Sequence, residues 1–239
     1  YAKNASQSKG KKSDPLNPDG SLTTDVKKRI LLNNIYGVDI DANAVEVTKL
    51  SLLLKCLEGE TQASIQSQMT LFNERVLPTL DQNIKCGNSL VSTDFFEMEP
   101  DVQIRKKVNP FNWQIEFKNV FKQGGFDVVI GNPPYVDSRL NTTYLKDYCK
   151  ERFISFSAGK TNIYEVFLES GLQHLNNSGC LSFIIPIVLL NIDSCAPLRK
   201  YLIDRNLFDE ISYCDEAVFK DVNVDTMVLK LNKKNSFQG

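Results

Sequence analysis

The stretch Phe126-Asp-Val-Val-Ile-Gly-Asn-Pro-Pro-Tyr135 decides the fold. Gly124 and Gly125 precede a short apolar run and Gly-Asn-Pro-Pro follows it, the pattern of a strand buried in a parallel sheet. Two successive prolines cannot donate to a ladder, so the strand must stop there and pass into a stiff turn.

Working outward, the apolar pattern predicts a helix over 26–32 and a strand over NIYGVD (34–39) that ends on an acid. Asp41 is placed to cap a helix reaching about Leu57, with Val45, Leu50, Leu53, Leu54 and Leu57 on one apolar face and Gly59 as its stop. A second strand is expected at 84–86, then a mixed excursion over 92–125 with a helix near 115–121. Asn162 and Glu165 have capping-box spacing and open a helix with Ile163, Val166, Phe167 and Leu172 inward, ended by Asn177-Ser-Gly179. A strand over 180–186, a helix over 197–206 and two closing strands at 207–214 and 226–231 complete the pattern. Strands alternating with helices imply an open α/β sheet, mostly parallel with a closing antiparallel strand.

Composition narrows the partners. Lys and Arg number 28 against 29 Asp and Glu, a net charge of -1, so any polyanion site must be local. No stretch reaches the roughly 18 apolar residues of a membrane span, and no signal peptide is recognisable, so a soluble, cytoplasmic protein without a membrane partner is expected. Six scattered cysteines lack metal-ligand or disulfide spacing and read as reduced thiols; the single histidine, His174, reads as a helix-surface residue, and no metal is expected. Residues 1–25 are rich in Lys, Ser, Asn, Gly and Pro and read as a flexible lead-in, with Lys9, Lys11 and Lys12 on a solvated face.

In open α/β sheets ligands bind at the carboxyl ends of strands, which singles out Asp39, Gly87-Asn88 and Asn132-Pro-Pro-Tyr135. An acid in the position of Asp39 can accept from both hydroxyls of a ribose, with Ile40 against an adenine face; equally, Asp39 and Asp41 could merely cap the following helix. At 132–135 the chemistry is more specific. The Asn132 side-chain oxygen and the Pro133 carbonyl are two acceptors, Pro134 stiffens the turn, and Tyr135 adds an aromatic plate: a pocket for a planar exocyclic amine. Accepting both protons of such an amine favours a tetrahedral nitrogen whose lone pair can attack a methyl group, without a strong base.

GNPPYV together with YGVDIDANAVEVTKLSLLL (36–54) and IKCGNSL (84–90) resembles the amino-methyltransferases, above all the adenine-N6 DNA methyltransferases of the large restriction-modification type. The likeness extends through FNWQIEFKNVFKQGGFDVVIGNPPY (111–135), GKTNIYEVFLESGLQHLNNSGCLSFIIP (159–186) and EAVFKDVNVDTMVLKL (216–231), about residues 30–232. It implies a Rossmann-like fold using S-adenosylmethionine, with residues 26–239 a partial catalytic domain and methyl transfer to adenine N6 of a base flipped from double-stranded DNA. The alternatives are a protein-glutamine or RNA N-methyltransferase, whose motif is shared, or a non-catalytic nucleic-acid-binding module of the same fold. The ribose-binding acid then falls on Asp39, the cofactor-adenine contact on Asn88, where many relatives have Asp, and the catalytic motif on Asn132, Pro133, Pro134 and Tyr135. A second base-stacking aromatic falls on Phe219. Nuclease and target-recognition domains in the same polypeptide are a further implication.

One departure stands out. The family's glycine-rich cofactor loop does not occur in the 239 residues; its place is just upstream of Tyr1, so the first central strand is expected to be missing and the chain alone to bind cofactor poorly. Beside the motif, Arg139, Lys146, Lys150, Arg152 and Lys160 outnumber Asp147 and Glu151, interleaved with Tyr144, Tyr148 and Phe153. That segment reads equally as a phosphate clamp or as an amphipathic helix with a solvated face.

Overall fold

The computed structural model describes residues 15–17, 19–59, 78–135, 143–158, 162–214 and 224–234. The chain divides into two compact units, residues 1–88 and 89–239.

In the first unit, helix α1 (Thr24–Asn34), strand β1 (Gly37–Asp39), helix α2 (Ala42–Leu57) and strand β2 (Ile84–Cys86) form a parallel strand pair with its helices. The strand expected from Asn34 starts three residues later, because Asn34 completes the last turn of α1. Asn83, fully buried, ties these parts together: its amide donates to the carbonyls of Leu32 and Ile35, both at 2.9 Å, satisfying the orphan end of α1. Val45, Leu52, Leu53 and Cys56 of α2 pack on Leu31, Leu80 and Ile84. Leu50 and Leu54, expected inward, point out with Val47, because leucines recur on more than one side of this helix and the pattern leaves its rotation open.

In the second unit, the excursion resolves into four short helices, α3 (Phe95–Met98), α4 (Val102–Val108), α5 (Trp113–Glu116) and α6 (Lys118–Phe121). They lead into β3 (Phe126–Gly131). Then come α7 (Thr143–Arg152), a 3-10 turn (Ile154–Ala158), α8 (Ile163–His174), β4 (Leu175–Pro186), α9 (Ala196–Asp204), β5 (Phe208–Tyr213) and β6 (Thr226–Asn232). The four strands order β3-β4-β6-β5, with β3 parallel to β4 and only the last strand, β6, reversed between β4 and β5. That reversed strand is the expected antiparallel element of an otherwise parallel α/β sheet.

Two details differ from expectation. No loop separates α8 from β4: the helix stops at His174 and Asn177-Ser-Gly179 already belongs to the strand. Strand β3 is an edge of its sheet, with Val128 59% and Ile130 77% exposed, where the apolar run implied a buried strand. Its inner face is nevertheless tightly built. Val129 joins the core of Leu168, Leu172, Leu181, Phe183 and Leu229, and a Cβ at Gly171 of α8 would stand 2.7 Å from Leu181 Cδ1, so helix and sheet meet at a glycine. None of the six cysteines is in a disulfide; Cys56, Cys149 and Cys195 are buried.

Candidate active site

At the carboxyl end of β1, Asp39 pairs in register with Cys86 of β2, and the Gly87 amide donates to the Asp39 carbonyl at 2.9 Å. The two acids divide the roles left open by the sequence. Asp41 alone caps α2, accepting from the Asn43 amide at 2.8 Å. Asp39 accepts from the Asp41 amide through Oδ1, also at 2.8 Å, and its carboxylate is exposed, with no bond to Oδ2 among the described residues. Ile40 follows, 46% exposed, and Asn88 stands half-buried just past β2. An open carboxylate oxygen, an apolar side chain and a carboxamide thus sit on two adjacent strand ends, a set of acceptor and contact groups that fits the ribose and adenine of a nucleoside cofactor.

The second candidate group is built on β3. Gly131, the last strand residue, lies against the Phe183 ring of β4: a Cβ there would come within 2.9 Å of Cε1. The close approach fixes where the strand delivers Asn132, which is exposed, followed by buried Pro133 and half-buried Pro134 and Tyr135. Tyr135 packs on the second unit's core, its ring edge-on to Tyr164 of α8 at 6.4 Å. Its hydroxyl faces two acceptors, Asn132 Oδ1 at 3.0 Å and the Ile184 carbonyl at 3.2 Å. Burial pushes the Tyr135 phenol above its ordinary range, with the Cys214 thiol nearby contributing, so it stays a protonated donor.

Behind Tyr135 the packing is polar but closed. The Tyr164 hydroxyl lies 3.7 Å from Cys195 Sγ, and burial raises both groups, Cys195 to about 11. Two glutamates of α8 are buried as caps. Glu165 completes the capping box with Asn162, and Glu169 accepts from the Ile154 and Ser155 amides at 2.9 and 3.0 Å, capping the 3-10 turn. Tyr164, Ile184, Phe183 and Gly131 were not singled out by sequence. The adjacency of Gly131 to the motif was the one available signal; the others arrive from segments far along the chain.

Within the basic segment, residues 143–152 form an amphipathic helix. Tyr148 and Cys149 of α7 and Phe153 just beyond it are buried, and Lys146 and Lys150 are balanced by the equally exposed Asp147 and Glu151. Arg152 is not available to a phosphate: its Nε and Nη2 grip Asp94 Oδ2 at 3.1 and 2.8 Å, and its guanidinium lies 4.0 Å over the Tyr148 ring. The Tyr148 hydroxyl donates to Asp94 Oδ1 at 2.8 Å. Burial alone would raise Asp94, but these donors outweigh it and hold the carboxyl below its usual range. Arg139, Lys160, the Tyr144 side chain and Phe219 lie outside the described residues, as do Lys9, Lys11 and Lys12.

His174 is not a helix-surface residue. Its ring stacks on Trp113 of α5 at 4.7 Å and meets Phe121 of α6 at 5.9 Å, because the end of α8 is covered by the short helices of the excursion. Among the described residues no group of His, Cys, Asp and Glu could hold a metal ion, and no helix is long and apolar enough to cross a membrane.

Residues 33–219 match the family model described as Eco57I restriction-modification methylase. Over 221 residues the chain is 34% identical to the type II restriction enzyme and methyltransferase RM.Eco57I of Escherichia coli, covering 90% of this chain and 20% of that enzyme. It is 30% identical over 136 residues to the modification methylase CviBIII of Paramecium bursaria Chlorella virus NC1A, covering 53% of this chain and 34% of the relative. The chain therefore spans about a fifth of the one and a third of the other. Its fold is similar to that in the structure of a nuclease-deletion mutant of the Type ISP restriction-modification enzyme LlaGI in complex with a DNA substrate mimic. That match has a TM-score of 0.57 at 14% identity and covers 90% of this chain and 18% of that one.

Proposed function

The chain belongs to the Eco57I restriction-modification methylase family, and on that premise we propose that it carries the catalytic part of a site-specific, adenine-specific DNA methyltransferase. The methyl group passes from S-adenosylmethionine to the N6 amine of an adenine swung out of double-stranded DNA. The observation that carries this reading is Asn132-Pro-Pro-Tyr135 at the carboxyl end of β3, with Asn132 exposed and its amide oxygen held by a tyrosine.

S-adenosylmethionine supplies, when bound, an electrophilic methyl group on a positively charged sulfur. The chain's own residues do the rest. Asp39 accepts from the ribose hydroxyls, Ile40 covers an adenine face and Asn88 meets its edge. Asn132 Oδ1 and the Pro133 carbonyl accept the two protons of the target amine, withdrawing its lone pair from the ring, and the nitrogen loses one of those protons to solvent after transfer. Pro134 keeps the turn rigid. Tyr135 stacks on the flipped base, with Phe219 on the other face. A nuclease part on the same polypeptide is in keeping with the double name of the Escherichia coli relative; a target-recognition part and a cytoplasmic place belong to the same reading, because the substrate is cellular DNA.

The test is labelled methyl transfer into unmethylated duplex DNA by the protein in its full native length, followed by nucleoside analysis. N6-methyladenine is expected, with a loss of at least about a hundredfold in Asn132→Ala, the scale of a removed transition-state partner. Full activity in that variant, or label in cytosine, RNA or protein, overturns the proposal.

A further inference from the structure

The Tyr135 hydroxyl has a role distinct from that of its ring. Strand β3 runs parallel to β4 in register up to Gly131 and Phe183, and beyond that point Pro133 and Pro134 have no N–H to continue the ladder. The Ile184 carbonyl, next along β4, accepts from the Tyr135 hydroxyl at 3.2 Å, and the same hydroxyl lies 3.0 Å from Asn132 Oδ1. The ring is held at its other edges by the core and by Tyr164. One proton is thus shared between a fixed backbone acceptor and the side-chain amide of the motif.

A carboxamide has two orientations that exchange acceptor for donor. Asn132 is exposed, and its side-chain oxygen is bonded by the Tyr135 hydroxyl, so the hydroxyl decides which end faces the pocket. Resting on the function proposed above, we propose that the Tyr135 hydroxyl is a positioning group. It holds Oδ1 of Asn132 toward the target amine and withdraws its proton to the Ile184 carbonyl when the amine arrives. Oδ1 then exchanges one donor for another, and the hydroxyl, turning its O–H from one acceptor to the next, never loses a partner. With the amide reversed, Nδ2 would meet the amine donor to donor, and that orientation would be unproductive.

The experiment is a double-mutant cycle in the full-length protein under single-turnover conditions. Tyr135→Phe keeps the stacking ring and removes the hydroxyl. A neutral hydrogen bond biases the two amide orientations by roughly fivefold, so removing it lowers the productive share from about five-sixths to about one-half, and the methylation rate should fall by about 1.7-fold while the dissociation constants for DNA and cofactor stay unchanged. Asn132→Asp presents oxygen in both orientations, so in that background removing the hydroxyl should leave the rate unchanged to within about 20%. A ring-fluorinated tyrosine at 135, whose phenol ionises at lower pH, gives a second readout. Its rate should fall as the phenol ionises, because a phenolate attracts Nδ2 and turns Oδ1 away. An unchanged rate in Tyr135→Phe, equal losses in both backgrounds, or a rate flat through ionisation of the fluorinated phenol would each overturn the positioning role. If the unaltered protein makes no N6-methyladenine, the proposed function has failed instead.

Discussion

Acidification from pH 7 to pH 5 should destabilise the second unit through one side chain. His174 is held between Trp113 and Phe121, with Ser170 Oγ 3.4 Å from Nε2 and the Lys233 ammonium anchored nearby on the Leu175 carbonyl. Burial, reinforced by the Lys233 charge, lowers its pKa from 6.5 to about 4. A depressed histidine binds fewer protons folded than unfolded. Its contribution is therefore complete above the unfolded value and is lost as pH falls toward the folded one. At roughly 1.4 kcal/mol per unit, the full gap is worth about 3 kcal/mol, of which about 2 is gone by pH 5. Its unfolded value makes His174, the chain's only histidine, the side chain most exposed to this pH window. The buried Glu165 carboxyl, raised by desolvation, pulls the opposite way and cancels when a variant is compared at each pH. Urea unfolding followed by far-ultraviolet circular dichroism at pH 7, 6 and 5, for the unaltered protein and His174→Phe, measures the difference. The stability gap between them should shift by about 2 kcal/mol toward the variant as pH falls. A gap constant to within about 0.5 kcal/mol refutes the burial of a neutral imidazole.

Further expectations follow from single contacts. Asn83→Ala strands the Leu32 and Ile35 carbonyls, so the first unit should lose about 2–3 kcal/mol in denaturant titrations; a loss under about 0.5 would mean water replaces the amide. Gly131→Ala drives a methyl into the Phe183 ring and should cost about 1–3 kcal/mol and slow methylation, with Phe183→Leu restoring part of both; no recovery would place the strain elsewhere. Asp39→Ala should weaken S-adenosylmethionine binding by the full-length protein about tenfold or more in calorimetry without lowering its melting temperature; unchanged binding removes Asp39 from the cofactor site.

What the sequence made legible is what is local. The Asn162–Glu165 capping box, the Asp41 cap, both ends of β2, the starts of β3 and β6 and the halt of β3 before the two prolines all depend on residues within a few positions of one another, and they stand where the pattern puts them. The failures are tertiary. The rotation of α2 could not be read because leucines lie on several of its sides, and the exposure of β3 depends on which strands flank it. His174 looked peripheral because the Trp113 that covers it comes from a segment without periodicity, 61 positions earlier. The choice left open for Arg152 has the same cause: Asp94, which holds it, lies 58 residues away. Of the candidate site, the residue types and strand ends were legible, while the hydrogen bond that orients Asn132 needed the meeting of β3 with β4.

The aromatic node around His174 also makes the molecule self-reporting. Trp113 is the single tryptophan of the 239 residues, its Nε1–H donates to the Ser89 carbonyl at 3.0 Å, and its face rests on the imidazole. Tryptophan emission, excited at wavelengths the tyrosines do not absorb, therefore originates at one junction, where the start of the second unit, the excursion and the end of α8 converge. Emission wavelength reads the hydration of that junction and quenching reads the charge on the stacked ring. Folding, proton uptake and loosening of the excursion can accordingly be followed as separate optical channels in the unlabelled protein.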